Sequence, residues 1–212
     1  MNRLNIKKTK FLLGGARVLS LICNPLVIPF LGFVMLLTFS YLSILPASYK
    51  FTLLSMVLSF TLLIPLVSIW VYRKLDKQRM YDLNIKANRV MPYCLIIFSY
   101  LSCLFTMSRM NIPPCLSGVI VSSLVSIVIC ALVNMFWKIS VHMAGMGQLI
   151  GGIISFSVIF YYNPVWWLCL FILLAGAEGT SSIIVRQHTL SQVLVGGAVG
   201  LGCGILGILF IH

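Results

Sequence analysis

The chain has 212 residues, of which 60% are hydrophobic and 8% charged, and its formal net charge is +12. Soluble domains carry roughly 25% charged residues, so this composition excludes a water-soluble domain and predicts a polytopic α-helical membrane protein. In such a protein a basic excess favours an anionic leaflet or an anionic substrate over nucleic acid as the partner.

Long apolar segments divide the sequence into six or seven predicted membrane spans. Residues 1–18 form a basic leader without acidic residues, and residues 19–212 form one transmembrane helical domain. The first apolar segment, about residues 19–45, contains Pro25 and Pro29, so it is either a broken span or a re-entrant segment. Further spans are predicted at about residues 51–72, 92–107, 115–137, 141–161, 165–184 and 189–211. The predicted fold class is therefore an all-α membrane helical bundle.

Glycines four residues apart occur on two of these predicted spans. Gly147 and Gly151 lie on the span at 141–161, and Gly196, Gly200 and Gly204 lie on the span at 189–211. Small residues at this spacing let two helix backbones approach closely in lipid. The pattern predicts that these two helices pack against each other.

Polar residues precede both of these helices. Lys138, Ser140 and His142 place a cation, a hydroxyl and an imidazole within five residues, and Ser140 is predicted near the N-cap of the following helix. A helix start beside Lys and His is suited to bind an anion. His188 precedes the helix at 189–211, two spans further on, and Arg89 precedes the span at 92–107. An even number of crossings separates these segments, so we expect them in one polar pocket.

Two histidines with nearby cations fit phosphoryl transfer. One imidazole attacks phosphorus and the other protonates the leaving oxygen, while the cations hold the phosphate oxygens. The alternative interpretation of each histidine is a packing residue held by hydrogen bonds.

These segments resemble the three motifs of the type 2 phosphatidic acid phosphatase superfamily over about residues 86–192. The residues that carry the resemblance are Lys86, Arg89 and Pro92 for the first motif, Ser140 and His142 for the second, and Ser181, Ser182, His188 and Gln192 for the third. The resemblance implies a phosphatase-like helical core, with His188 as the nucleophile that forms a phosphohistidine and His142 as the general acid. It also implies that Arg89, Lys138 and the Ser140 region hold the phosphate, together with Lys86 of the first motif. The mechanism of that superfamily requires no metal or other cofactor.

Two positions depart from the superfamily pattern, which has Arg at 182 and Asp at 192, where this chain has Ser182 and Gln192. Arg186 is four residues after Ser182, so it could lie on the same helical face and supply the missing cation. Gln192 could orient the imidazole of His188, or it could close a capping box with Thr189.

Glu178 is the carboxylate that falls inside a predicted span. It is four residues before Ser182 and eight before Arg186, so the three are predicted to line one stripe. Glu178 either forms a structural ion pair with Arg186 or Arg89, or it supports the site chemistry.

Three functions remain open from the sequence. The first is a membrane phosphatase that acts on a lipid phosphate or a polyprenyl (pyro)phosphate, and the second is a catalytically silent relative that binds anionic lipid headgroups. The third is a small transporter, which the proline-broken first segment suggests. The expected partners are a phosphorylated lipid and membrane lipids, and the oligomeric state is open. The expected location is the bacterial inner membrane, with the pocket on the cytoplasmic side because the leader and the connector at 73–90 are basic.

Overall fold

The computed structural model describes residues 24–39, 41–76 and 87–211, without the side chains of residues 41, 73, 75, 76 and 87–90. The predicted leader and Lys86 lie outside these residues. Within them the regular structure is helical, and the α-helices in chain order are α1 Ile28–Phe39, α2 Ala47–Leu58, α3 Ile64–Asp76, α4 Ala87–Arg109, α5 Pro114–Phe136, α6 Val141–Phe160, α7 Val165–Ile184 and α8 Leu190–Leu209. A short 3₁₀ helix, Tyr41–Ile44, follows α1.

Six helices in the described part of the chain are long and apolar enough to cross a membrane: Ala47–Tyr72, Met91–Arg109, Pro114–Phe136, Val141–Phe160, Val165–Ile184 and Leu190–Leu209. These helices confirm the all-helical class and support an integral membrane protein. The 12 residues of α1 extend about 18 Å at 1.5 Å per residue, too short for a hydrocarbon core of roughly 30 Å. Of the two predicted counts, six is therefore the number found among the described residues.

The span that contains α2 and α3 is continuous but locally wider. Ser59–Leu63 form a π-helical turn between the two helices, which the sequence analysis did not predict. In a π-helical turn each carbonyl accepts from the N–H group five residues later. For the carbonyl of Phe60 that residue is Pro65, which has no N–H. The hydroxyl of Ser99 on α4 donates to that carbonyl instead, at 2.5 Å. The π turn therefore accommodates a proline inside the membrane, and α4 supplies the missing hydrogen bond.

The centre of the bundle is α6, which packs against α1, α5, α7 and α8. Its most extensive contact is with α8, and the predicted glycines lie in that contact: a Cβ added at Gly147, Gly151, Gly196, Gly200 or Gly204 would meet backbone atoms of the other helix or of its N-cap. The prediction of close packing is confirmed. The contacts advance in the same direction on both helices, so α6 and α8 are parallel and their first turns lie side by side.

Candidate functional site

The parallel packing of α6 and α8 brings together the two loops that precede them. The ammonium of Lys138 donates to the carbonyl of Gln187 at 2.8 Å. The backbone N–H of Ser140 donates to the carbonyl of Gln192 at 3.4 Å. We call these two hydrogen bonds the loop clamp. Both acceptors are backbone carbonyls, so the amino-acid sequence contains no signal for the clamp.

The start of α6 follows the prediction from the sequence. Ser140 is its N-cap, in an extended conformation, and its hydroxyl oxygen accepts a long hydrogen bond of 3.5 Å from the N–H of Met143. The side chain is 1% exposed. Because the hydroxyl is buried and already caps the helix, it is the remaining N–H groups of the first turn that are suited to face an anion.

The two histidines lie at the same end of the bundle. His142 is in the first turn of α6, and His188 immediately precedes Thr189, the N-cap of α8. The two imidazoles are close enough for the charge of one to act on the other. The positive charge of Lys138 also acts on His188. The structure thus brings together Lys138, Ser140, His142 and His188.

The environment of His188 favours its neutral form. Partial burial lowers the pKa of His188 below the ordinary histidine value, and the charge of Lys138 lowers it further, while Gln192 opposes the shift. The Nδ1 atom is buried and has no hydrogen-bond partner within the described part of the chain. A neutral imidazole retains a nitrogen lone pair, which a nucleophile requires.

Gln192 closes a capping box at the start of α8. Its side-chain oxygen accepts a hydrogen bond from the N–H of Thr189 at 3.0 Å, and the side chain of Thr189 is bonded in return to the backbone at position 192. The capping role, one of the two left open by the sequence, is therefore present. The side chain of Gln192 also acts on His188 as a hydrogen-bond partner, which raises the pKa of the imidazole.

The end of α7 differs from the expectation for Arg186. Glu178, at 3% exposure, and Ser182, at 6%, are both buried one turn apart, as the predicted stripe requires. However, α7 ends at Ile184, and Arg186 has a left-handed backbone with φ of 58° and an exposed side chain. The N–H groups of Arg186 and Gln187 close the helix on the carbonyls of Ile183 and Ser182 at 2.9 and 3.0 Å, which is a Schellman motif. The prediction that Arg186 continues the same helical face is therefore wrong, because the helix stops two residues earlier.

The first motif is only partly described. Lys86 lies outside the described residues, and Arg89 belongs to the first turn of α4, with its side chain outside the description. The helix α4 packs mainly against α3, the π turn and α5. The roles of Lys86 and Arg89, and the ion pair of Glu178 with Arg89 or Arg186, stay predictions.

Among the described residues, no group of three or more His, Cys, Asp or Glu side chains is arranged to hold a metal ion. The described residues at this end of the bundle include an ammonium, two imidazoles and the N–H groups at a helix start. Together they are suited to attract an anion at the membrane surface. Comparisons of the chain with protein-family models, with curated proteins and with solved structures find no match.

Proposed function

We propose that this chain is a membrane phosphatase that hydrolyses a lipid phosphate or a polyprenyl (pyro)phosphate through a phosphohistidine on His188. The observation that carries the proposal is the parallel packing of α6 and α8, which places His142, His188 and Lys138 at one end of the bundle. The pKa of His188 is lowered by burial and by Lys138, and the imidazole of His142 is within electrostatic reach. A nucleophile, a cation for the phosphate oxygens and a second imidazole for proton transfer are the three groups that the reaction needs.

The proposed reaction has two steps. A nitrogen of neutral His188 attacks the terminal phosphorus, and the bond from phosphorus to the oxygen of the leaving group breaks with its electron pair on that oxygen. The protonated imidazole of His142 gives its proton to this oxygen, so a lipid monophosphate leaves as the alcohol and a lipid pyrophosphate leaves as the lipid monophosphate. Water then attacks the phosphohistidine and gives a proton to His142, the phosphorus–nitrogen bond breaks, and inorganic phosphate departs. Lys138 stabilises the phosphate oxygens in both steps.

Apolar side chains around the site support a substrate that stays in the membrane. Phe136 at the end of α5 is 90% exposed, Ile184 at the end of α7 is 62% exposed, and Leu190 at the start of α8 is 60% exposed. A phosphorylated lipid of the surrounding membrane would bring its headgroup to these helix ends without leaving the bilayer. We propose a phosphatase-like helical core, location in a bacterial inner membrane, and a cytoplasmic face for the site, the last from the basic leader and connector.

Phosphate release by the purified protein in lipid nanodiscs tests the function. Phosphatidate, a polyprenyl phosphate and a polyprenyl pyrophosphate are offered with a metal chelator present. His188→Ala should abolish phosphate release and the acid-labile phosphorylated protein. His142→Ala should lower the rate by roughly 10²–10⁴-fold, the usual contribution of a general acid. His212→Ala is the control, because it removes the third histidine of the sequence and should leave the rate unchanged.

A second pair of substitutions tests the role of the Lys138 ammonium in binding the phosphate. Lys138→Ala should raise KM and lower kcat/KM. Lys50→Ala also removes a lysine, one whose ammonium donates to the carbonyl of Ser43 in the 3₁₀ helix between α1 and α2. It should have no effect on either constant. Equal effects of the two substitutions would contradict a local role for Lys138.

One observation favours a second candidate, a catalytically silent protein that binds anionic lipid headgroups. The Nδ1 atom of His188 has no partner among the described residues, and the side-chain oxygen of Gln192 already accepts from a backbone N–H. Position 192 therefore holds a neutral amide engaged in capping α8, which cannot stabilise a charged imidazole as a carboxylate at this position would. If the wild-type protein releases no phosphate from the three substrates yet retains phosphatidate against an uncharged lipid in a vesicle-binding assay, this second function replaces the first.

A further inference from the structure

The backbone on both sides of His188 is held by side chains. The carbonyl of Gln187 belongs to the peptide group that joins Gln187 to His188, and it accepts a hydrogen bond of 2.8 Å from the ammonium of Lys138. The N–H of Thr189 belongs to the peptide group that follows His188, and it donates to the side-chain oxygen of Gln192 at 3.0 Å. Because each peptide group is planar, the soft backbone dihedrals of His188 are the two that lie between these groups. Holding both peptide groups therefore restricts the direction in which the imidazole leaves the backbone.

The loop before His188 is also attached to α7. The N–H groups of Arg186 and Gln187 donate to carbonyls in the last turn of α7 at 2.9 and 3.0 Å. Among the described residues, these backbone bonds from α7 extend as far as the N–H of Gln187, one peptide group before the one that joins this residue to His188. The bond from Lys138 therefore continues the restraint from the end of α7 to His188 itself.

Lys138 projects from a segment whose backbone is well anchored. The next residue, Ile139, is 2% exposed and packs with Cys130 and Ala144, and Ser140 is the N-cap of α6. The side chain of Lys138 is exposed at the end of the bundle and bonds to a residue 49 positions later in the chain. A hydrogen bond from an ammonium is charge-assisted, which makes it one of the stronger kinds. The start of α6 is thus firmly linked to the loop that precedes α8.

We propose that Lys138 is a positioning residue for His188, because its ammonium holds the peptide group that carries the imidazole before any substrate is bound. An ammonium has three N–H donors, so the bond to Gln187 leaves two donors for the oxygens of an anion. One side chain thus holds the imidazole and the phosphate together and sets the distance between them. The role of His188 as a nucleophile rests on the proposed function, whereas the restraint of its backbone by Lys138 does not.

A purely electrostatic role for Lys138 predicts a different result from a positioning role. A positive charge acts on His188 through space, so its loss would change the pKa of the imidazole and the affinity for phosphate without altering the loop. Loss of the hydrogen bond frees the peptide group before His188, and the imidazole then samples more than one orientation. His142 is an internal reference, because its backbone lies in the first turn of α6 and does not depend on this bond.

NMR spectroscopy of isotope-labelled histidine, in the full chain in nanodiscs without phosphate, tests the inference. Lys138→Met removes the ammonium and keeps an apolar stem, so it should split or broaden the signals of His188 and leave a single set for His142. Lys138→Arg retains a cationic donor and should keep one set of His188 signals. Lys50→Met is the matched control, since the ammonium of Lys50 also donates to a backbone carbonyl, that of Ser43, and it should alter neither histidine. One sharp set of His188 signals in Lys138→Met, shifted only by the altered charge, would overturn the inference.

Kinetic measurements separate this inference from the proposed function. A displacement of about 1 Å in the reacting groups can cost about 10²-fold in rate, so Lys138→Met should lower kcat at saturating substrate by about this factor, and Lys138→Arg should restore most of it. If no substrate releases phosphate but His188 loses its single orientation in Lys138→Met, the proposed function fails and the positioning role stands. If the protein is an active phosphatase and Lys138→Met changes KM alone, the positioning role fails and the proposed function stands.

Discussion

Replacing Gly200 by alanine tests the contact that holds α6 and α8 together. The added Cβ would fall on the carbonyl oxygen of Ala144, with the carbonyl carbon at 2.6 Å and the Cα at 2.9 Å. These are backbone atoms of a helix, which cannot rotate away as the end of a side chain can. One of the two helices has to shift, so the close packing along the whole glycine face is weakened.

Gly202 offers a control on the same helix. A Cβ at Gly202 meets nothing within 4 Å, so Gly202→Ala adds a methyl group without a new contact inside the protein. Alanine is favoured over glycine in a helix by about 1 kcal/mol, and this gain is common to both substitutions. The difference between the two variants therefore measures packing alone. Overfilling a close-packed site costs about 1–3 kcal/mol, so we expect the free energy of unfolding of Gly200→Ala to be lower than that of Gly202→Ala by at least about 1 kcal/mol.

Equilibrium unfolding in mixed micelles, followed by circular dichroism, gives the free energy of unfolding of each variant. The comparison is made at fixed pH and lipid content so that only the side chain differs. Equal stability of the two alanine variants would refute the close approach of α6 and α8. A larger loss of stability for Gly202→Ala than for Gly200→Ala would mean that Gly202, and not Gly200, lies on the face of α8 that packs against α6.

Gln192→Glu keeps the length of a side chain that acts on His188 and adds a negative charge, so we expect the pKa of His188 to rise. An NMR titration of the imidazole measures this pKa, and an unchanged value would contradict the proximity of residues 188 and 192. Because the pKa of His188 is lowered in the folded chain, the unfolded chain binds more protons as the pH falls below about 6.5, and the free energy of unfolding should decrease there. His188→Gln should flatten this part of the stability–pH curve, and an unaltered slope would count against the shift. Ser99→Ala removes the donor to the carbonyl of Phe60 and should lower the free energy of unfolding by about 1–3 kcal/mol. The control is Ser102→Ala, because the hydroxyl of Ser102 bonds within its own helix; this substitution should change the free energy of unfolding by less than about 0.5 kcal/mol.

The helices were predictable where the sequence contains both an apolar run and a clear stop. The span predicted at 165–184 coincides with α7, Val165–Ile184, because Pro164 precedes its first residue. The prediction of the N-cap at Ser140 holds for the same kind of reason, since a serine directly before an apolar run can accept from the first-turn amides. The glycine spacing identified the partner helices because few other residues permit so close an approach.

Features that depend on tertiary contacts were not predictable in this way. The π turn before Pro65 requires a donor from another helix, and the acceptors of the loop clamp are carbonyls that every residue possesses. Arg186 follows Val185 without any residue that marks a helix end, such as glycine, and yet it takes the left-handed conformation. The expectation that Arg186 shares a helical face with Ser182 applied helical spacing two residues beyond the predicted end of the span, where the backbone is no longer helical.

The parallel contact of α6 with α8 also determines when the site can form during biosynthesis. The two helices are not neighbours in the chain, because α7 lies between them, and Gly147 meets the backbone at Gly197, fifty residues further on. At roughly 5–20 residues per second, a ribosome needs several seconds to produce that interval. During this time α6 is already available for insertion while its glycine face has no helix to pack against. A nascent chain that ends before α8 has no helix to hold His188 beside His142, and the two histidines come together in the same event that covers the glycine face of α6.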